Sequence, residues 1–224
     1  MFEELDDLFY SSTIKPIFEL VHVILALYIF SENYPEGIGR YRLRKELLIG
    51  SGTAKSLIKK LNKTINFIYV PDENIRKGHI LTDKGLNFLD SIKKKIPFIK
   101  DGDIKVLREI LIESEDMNAC ICQTKNSGSR ITNGMDQRDA AIKVNGKGAT
   151  CLIFNGKKFI FETNYSLKEE ENQMRINDDL QEYFLNVINE EKSNLEKNDV
   201  LIIGLGELPE IARLACLNAA LTLI

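Results

Sequence analysis

Residues 39–63 read GRYRLRKELLIGSGTAKSLIKKLNK, and the fold turns on how this stretch is read. Its apolar residues form two helical runs separated by Gly50. Leu43, Leu47 and Leu48 are predicted to face inward from the first run, Gly50 to relieve the turn, and Ser51 to cap the second. In the second run Ala54, Leu57, Ile58 and Leu61 recur at i, i+3, i+4 and i+7, the spacing of one buried stripe. Thr53, Lys55, Ser56, Lys59, Lys60, Asn62 and Lys63 are left for the opposite face. Residues 40–63 hold eight basic side chains (Arg40, Arg42, Arg44, Lys45, Lys55, Lys59, Lys60, Lys63) against one acid, Glu46. This pattern predicts a helix-turn-helix directed at a polyanion, with Ser51, Thr53 and Ser56 able to meet base edges and the lysines phosphates.

Upstream, residues 14–30 form the most apolar run, with Pro16 expected in the first turn of a helix that ends near Ser31. Ile17, Leu20, Val21, Ile24, Leu25, Tyr28 and Ile29 give a stripe at helical spacing, and Val23, Leu27 and Phe30 carry it past one face. Such a helix needs packing on two sides, so either burial within the chain or a dimer contact is expected. Downstream, residues 65–70 alternate as a strand, PDEN turns the chain, and residues 78–81 (GHIL) return it behind a basic tip at Arg76 and Lys77. Thr82 is placed to cap a closing helix whose Leu86, Leu89, Ile92 and Ile96 share a face, with Asp90 and residues 93–95 left to solvent. Helix, helix-turn-helix, hairpin and helix is the order of a winged helix.

LRKELLIGSGTAKSLIKKL followed by GHILTDKG resembles the winged-helix regulators of bacteria and archaea, in which a T-x-K-G step follows the wing strand. The resemblance covers residues 16–95 and implies DNA binding without implying a target. A basic amphipathic helix alone is often just a solvated face; cap, turn, hairpin and charge together favour the DNA-binding reading.

Charge follows the same division. The whole chain of 224 residues is at −3, which argues against a nucleic-acid partner when taken alone. Residues 1–100 hold sixteen Lys/Arg against twelve Asp/Glu, whereas residues 101–224 hold fourteen against twenty-one. Residues 36–100 stand at fifteen against six. The basic excess therefore surrounds the helix-turn-helix. The acidic first residues do not resemble a secretory leader. The 14–30 run is interrupted by Lys15, Glu19 and His22 and falls short of the ~18 apolar residues that a membrane span needs. Four cysteines in a chain this long fit a reducing, cytoplasmic setting better than a disulfide framework.

The expected division is a winged-helix domain at 1–97, a linker at 97–103 (PFIKDGD), and a C-terminal α/β domain at 104–224 with a small mixed sheet, an α+β chain overall. Residues 104–112 suit helix or strand. Residues 118–124 (NACICQT) read as a strand, 125–134 as a polar loop, and 135–144 as a helix with Ala140, Ala141 and Val144 inward. Asn155-Gly156 is a strong hairpin signal between strands at 149–154 and 158–162. A charged loop at 163–173 precedes a helix at 178–191, a buried strand at 199–204 (DVLIIG) and a closing helix at 208–223. The runs GMDQRDAAIKVNGKGATCLIFNGKKFIF and DVLIIGLGELPEIARLACLNAALTLI resemble an uncharacterised archaeal family in which a winged helix precedes an α/β domain of unassigned role. That resemblance carries no activity with it.

Several constellations invite chemistry. Gly204-x-Gly206 after a strand suggests a dinucleotide loop, but Pro209 stands where a small residue belongs, and Glu207 and Glu210 would repel a phosphate. A strand-to-helix turn with Pro209 in its first helical turn is the plainer expectation. Cys120 and Cys122 share a strand face, with Cys151 on another strand; C-x-C lacks zinc-knuckle spacing, so small buried hydrophobes explain them better than a metal. Arg138, Asp139 and Thr150, beside the polar loop and a glycine-flanked strand start, are the candidates for a small anionic effector, against the plainer reading of a surface ion pair. Neither histidine lies near a nucleophile of the C-terminal half.

The sequence therefore predicts a cytoplasmic transcriptional regulator that binds double-stranded DNA, with a C-terminal domain that senses a ligand or makes a homodimer and with no cofactor. The alternative is an enzyme in the C-terminal domain, with the winged helix as a regulatory or docking module.

Overall fold

The computed structural model describes residues 2–10, 16–72, 78–111, 116–161 and 176–224. The chain divides into two compact units, Met1–Ile92 and Lys93–Ile224.

In the first unit a 3-10 turn at Glu3–Leu5 leads into α1 (Asp6–Phe9), followed by α2 (Leu20–Glu32). The α2 helix starts later than the position of Pro16 suggests, because Glu19 caps it. The Glu19 backbone N–H donates to His22 Nδ1 at 3.0 Å, and the Glu19 side chain accepts from the His22 backbone, a reciprocal capping box. Ile17, expected on the apolar stripe, precedes the helix and is exposed. Every residue from Val21 to Phe30 except His22 is buried. Of the two expectations for this helix, burial within the chain and a dimer contact, the first describes α2.

α3 (Arg40–Glu46) and α4 (Ser51–Lys63) form the helix pair. Leu43 and Leu47 point inward, but Leu48 does not: it takes the left-handed backbone of the turn (φ 52°) and is 44% exposed. The turn therefore rests on Leu48, while Gly50 is the N-cap of α4 in extended conformation. Ser51 is then the first helical residue, and no side-chain hydrogen bond caps this end. Ala54, Leu57, Ile58 and Leu61 are buried as their spacing predicts.

β1 (Ile68–Tyr69) and β2 (Ile80–Leu81) pair antiparallel, Ile68 with Leu81 and Tyr69 with Ile80. β1 is shorter than the alternation at 65–70 suggests, because Asn66 adopts a left-handed backbone (φ 57°). The tip with Arg76 and Lys77 lies outside the described residues. α5 (Asp83–Lys93) closes the unit, with Phe88, Leu89 and Ile92 buried and Leu86 half-buried.

The second unit begins where a linker was expected. Phe98 is buried in the core of this unit and Ile99–Gly102 is a strand, β3, paired with β4 (Asn118–Thr124). Between them run α6 (Ile104–Leu107) and a 3-10 turn, Arg108–Ile110. There follow α7 (Met135–Lys143), the hairpin of β5 (Gly148–Phe154) and β6 (Phe159–Phe161), then α8 (Asp178–Glu190), β7 (Val200–Gly206) and α9 (Pro209–Leu221). The charged loop expected at 163–173 lies outside the described residues.

The five strands run in the order β3-β4-β7-β5-β6, and every neighbouring pair is antiparallel. The expected mixed sheet is thus corrected. β4–α7–β5 is a strand–helix–strand crossover, as the alternation implied, but β7 enters the slot between its two strands and faces both antiparallel. One face of the sheet packs Ala119, Ile121, Leu152, Leu201 and Ile203 against Leu180, Phe184 and Ile188 of α8. α9 lies against β7 and β4, and α7 packs against α9 and β5.

Candidate nucleic-acid interface

The element after the hairpin is held by its own sequence, Thr82-Asp83-Lys84-Gly85. Thr82 Oγ1 accepts from the Gly85 backbone N–H at 3.1 Å, capping α5 as expected, and donates to the Asn66 carbonyl at 2.7 Å. Lys84 Nζ donates to the Ile65 carbonyl at 3.1 Å and stands 5.4 Å above the Phe67 ring. Gly85 is buried against the Phe67 backbone, where a Cβ would meet the carbonyl oxygen at 2.2 Å. Three residues of the T-x-K-G step therefore fasten the start of α5 to residues 65–67, the segment between α4 and β1.

The hairpin also has a third member. Ile38, just before α3, exchanges both backbone hydrogen bonds with His79, each at 2.9 Å. Gly78 (φ 88°) makes this possible, since a Cβ there would stand 2.4 Å from the Ile38 carbonyl carbon. A single bridged residue leaves no periodicity, so only the glycine before His79 could have signalled it. His79 Nδ1 is buried without a hydrogen-bond partner among the described residues, and burial lowers the imidazole pKa.

On α4 the face opposite the buried stripe carries Ser56, Lys59 and Lys63, with Lys55 to one side and Thr53 to the other. Lys55, Lys59 and Lys63 are exposed, Ser51 is exposed at the helix start, and Thr53 and Ser56 are half-exposed. Lys60 departs from its expected role. Its Nζ donates to the carbonyls of Leu8 at 2.6 Å and Tyr10 at 2.9 Å, so the ammonium holds the N-terminal segment. On α3, Arg44 and Lys45 are exposed, Arg42 is 3.5 Å from Glu46, and Arg40 both donates to the Tyr41 hydroxyl and lies 4.9 Å over its ring. The structure thus gathers Ser51, Thr53, Lys55, Ser56, Lys59 and Lys63 on one helix and takes Lys60 out of the set. Arg76 and Lys77 lie outside the described residues.

In the second unit, Arg138 and Thr150 line one hollow of about 250 Å³ with Ile131, Met135, Cys151 and Phe161, small beside the ~300–1,000 Å³ of ordinary ligand pockets. Asp139 does not line it. Both Nε and Nη2 of Arg138 donate to Asp139 Oδ1, and the two side chains are 52% and 62% exposed. That pair is worth little to stability.

The glycines of Gly204-x-Gly206 serve packing. A Cβ on Gly204 would stand 2.3 Å from the Cys216 backbone nitrogen, and one on Gly206 would stand 2.6 Å from that of Ala212. They let α9 lie directly on β7, as in the plainer reading of this turn. Cys120, Cys122, Cys151 and Cys216 are free and buried, and burial pushes all four thiols up, Cys151 to about 12. Protonated thiols of this kind are inert small hydrophobes.

A group that sequence reading missed is Asp199, whose side chain is 1% exposed. Its carboxylate accepts from Lys125 Nζ (2.6 Å), Gln123 Nε2 (2.8 Å) and the backbone N–H groups of Asn126 and Glu196 (2.8 Å each). An acid opening an otherwise apolar strand, DVLIIG, was the available signal. The network ties the loop after β4 to the segment before β7.

Residues 116–223 match the family described as a domain of unknown function (DUF4443). No curated protein matches the chain. A solved structure of a hypothetical protein from Pyrococcus horikoshii OT3 is similar, with a TM-score of 0.66 at 21% identity, covering 92% of this chain and 93% of that one. At that identity the likeness concerns the fold. The family match concerns residues 116–223, all within the second unit, and the archaeal neighbour concerns the fold.

Proposed function

We propose that the chain binds double-stranded DNA through its first unit, which acts as a winged helix: α4 enters the major groove and the β1–β2 hairpin flanks it. The observation that carries this reading is the exposed face of α4, where Ser56, Lys59 and Lys63 stand opposite the buried Ala54, Leu57, Ile58 and Leu61. The pairing of Ile38 with His79 and the fastening of α5 to residues 65–67 support it, since they give the helix pair the rigid backing that groove reading needs. Regulation of transcription is the role this implies. A sensing role for the second unit has weaker support, the hollow shared by Arg138 and Thr150.

Binding of the full chain to duplex DNA, titrated over salt, tests the reading. Wild type should lose affinity linearly on logarithmic axes as salt rises, with a slope of about −0.9 for each phosphate neutralised. Replacing Lys55, Lys59 and Lys63 by Met should flatten that slope and weaken binding at least tenfold at low salt. Salt-insensitive binding, or a triple variant that binds like wild type, would overturn the assignment.

A further inference from the structure

The contact that removes Lys60 from the basic set has a consequence for the same helix. Residues 2–10 carry Glu3, Glu4, Asp6 and Asp7, all four exposed and with no basic residue among them. The segment is anchored from beneath by Leu5 and Leu8, 1% and 0% exposed, and Phe9 stacks obliquely on Phe18 with ring centroids 5.9 Å apart. From α4, Lys60 Nζ grips it at the carbonyls of Leu8 and Tyr10, where the C-terminal end of α1 concentrates partial negative charge. Lys60 and Thr53 are seven residues apart, two helical turns, and so lie on one flank of α4. Asp7 is one residue from the gripped carbonyl, about 4 Å along the chain, well inside a screening length of about 8–10 Å. A negative segment is thus docked beside the helix whose exposed lysines suit a polyanion.

We propose that residues 2–10 form a docked acidic arm that weakens duplex binding by α4 and confines the phosphate backbone to the Lys55, Lys59 and Lys63 side of the helix. The proposal rests on the DNA-binding reading above. Lys60 spends its charge on two carbonyls, and the carboxylates repel phosphates that approach over the Thr53–Lys60 flank. The arm acts by charge and not by plugging the groove, so its effect is electrostatic and fades with salt.

The test uses the full chain and a mixed-sequence DNA duplex, with Glu3→Gln, Glu4→Gln, Asp6→Asn and Asp7→Asn combined. These exposed positions leave Leu5, Leu8 and the Lys60 hydrogen bonds in place. Neutralisation should raise affinity about three- to tenfold at low salt, and the two proteins should converge as salt increases. Binding by the neutralised protein alone would also support the arm. Salt-dependent binding by both proteins with equal affinity, or tighter binding by wild type, would overturn the arm and leave the DNA reading standing. Binding by neither, even at low salt, would overturn both.

Lys60→Met supplies a second, independent reading. Amide exchange over residues 5–10 should accelerate at least tenfold while duplex affinity holds within about twofold or rises. A loss of affinity as large as that of Lys59→Met would place Lys60 on a phosphate and overturn the proposal. If Lys60→Met fails to fold, the charge-neutralised protein decides alone.

Discussion

A Cβ placed on Gly85 would stand 2.2 Å from the carbonyl oxygen of Phe67, so the first turn of α5 and the segment between α4 and β1 touch backbone to backbone. The obstructing atom belongs to the main chain, which also accepts the Thr82 N–H at 2.9 Å, and no rotamer can relieve the clash. Gly85→Ala should therefore lower stability by about 1–3 kcal/mol or more, the range of overpacked cores. Gly52→Ala on exposed α4, where nothing lies within 4 Å of the new methyl, should instead raise it by about 0.5–1 kcal/mol. Thermal melts of the two variants beside wild type check the opposite signs; a Gly85→Ala melt like that of wild type would show the contact to be loose.

What could be read from the sequence was whatever has a period or a local turn signature. The stripe of α4, the strand NACICQT, the Asn155-Gly156 hairpin and the Thr82 cap each depend on residues a few positions apart, and the structure has them in place. What escaped depends on partners far along the chain. Lys60 looks like a surface lysine until Leu8, 52 positions away, presents its carbonyl, and Asp199 is explained by Gln123 and Lys125, 76 and 74 positions away. PFIKDGD has the composition of a linker, yet β3 stands at the edge of the described sheet, beside β4, and an edge strand tolerates such residues. The insertion of β7 between β4 and β5 leaves no trace in either strand, which is why a mixed sheet was the natural expectation. The candidate interface divides the same way: the helix face was legible, its loss of Lys60 was not.

The Asp199 network predicts a large stability effect within the second unit. Asp199→Ala removes the carboxylate that accepts from two backbone N–H groups, from Lys125, whose side chain is 19% exposed, and from the buried amide of Gln123, leaving the latter two to share the Asn194 carbonyl. Removing one member of such a buried pair costs about 3–5 kcal/mol. Asp199→Asn keeps one acceptor oxygen and should fall between the alanine variant and wild type. Denaturant midpoints measure both, and a loss under about 1 kcal/mol for alanine would mean that water replaces the carboxylate.

The four buried thiols predict an alkaline limit. Burial raises Cys120, Cys122 and Cys216, and takes Cys151 from 9.0 to about 12. Above pH 9 the unfolded chain gives up thiol protons that the folded chain keeps, so unfolding releases protons and stability falls as pH rises. The contribution is complete below pH 9 and is lost progressively towards pH 12 for Cys151, at up to about 1.4 kcal/mol per pH unit per thiol. Replacing Cys151 by Ala should shallow that slope. Alkylation of the native protein at neutral pH should be slow at all four cysteines and fast after unfolding; rapid native labelling at any of them would contradict their burial.

His22 sets a corresponding limit on the acid side. Its Nδ1 accepts the Glu19 backbone N–H at 3.0 Å and so must carry no proton. Burial lowers its pKa from 6.5 and outweighs the nearby Glu19 charge, which pulls it up. Because the folded pKa is depressed, the unfolded chain binds the proton first. The capping contribution is therefore whole above about pH 6.5 and drains away as pH falls through the folded value. His79, also lowered by burial, adds to the same slope. His22→Gln separates the two, since glutamine at the third helical position accepts from the cap backbone in an ordinary capping box and does not titrate. That variant should match wild type within about 1 kcal/mol near pH 8 and lose less stability than wild type between about pH 6.5 and 5, with the remaining slope assigned to His79. Urea midpoints across that interval decide it: parallel curves for the two proteins would show that the capping imidazole takes its proton without disturbing α2.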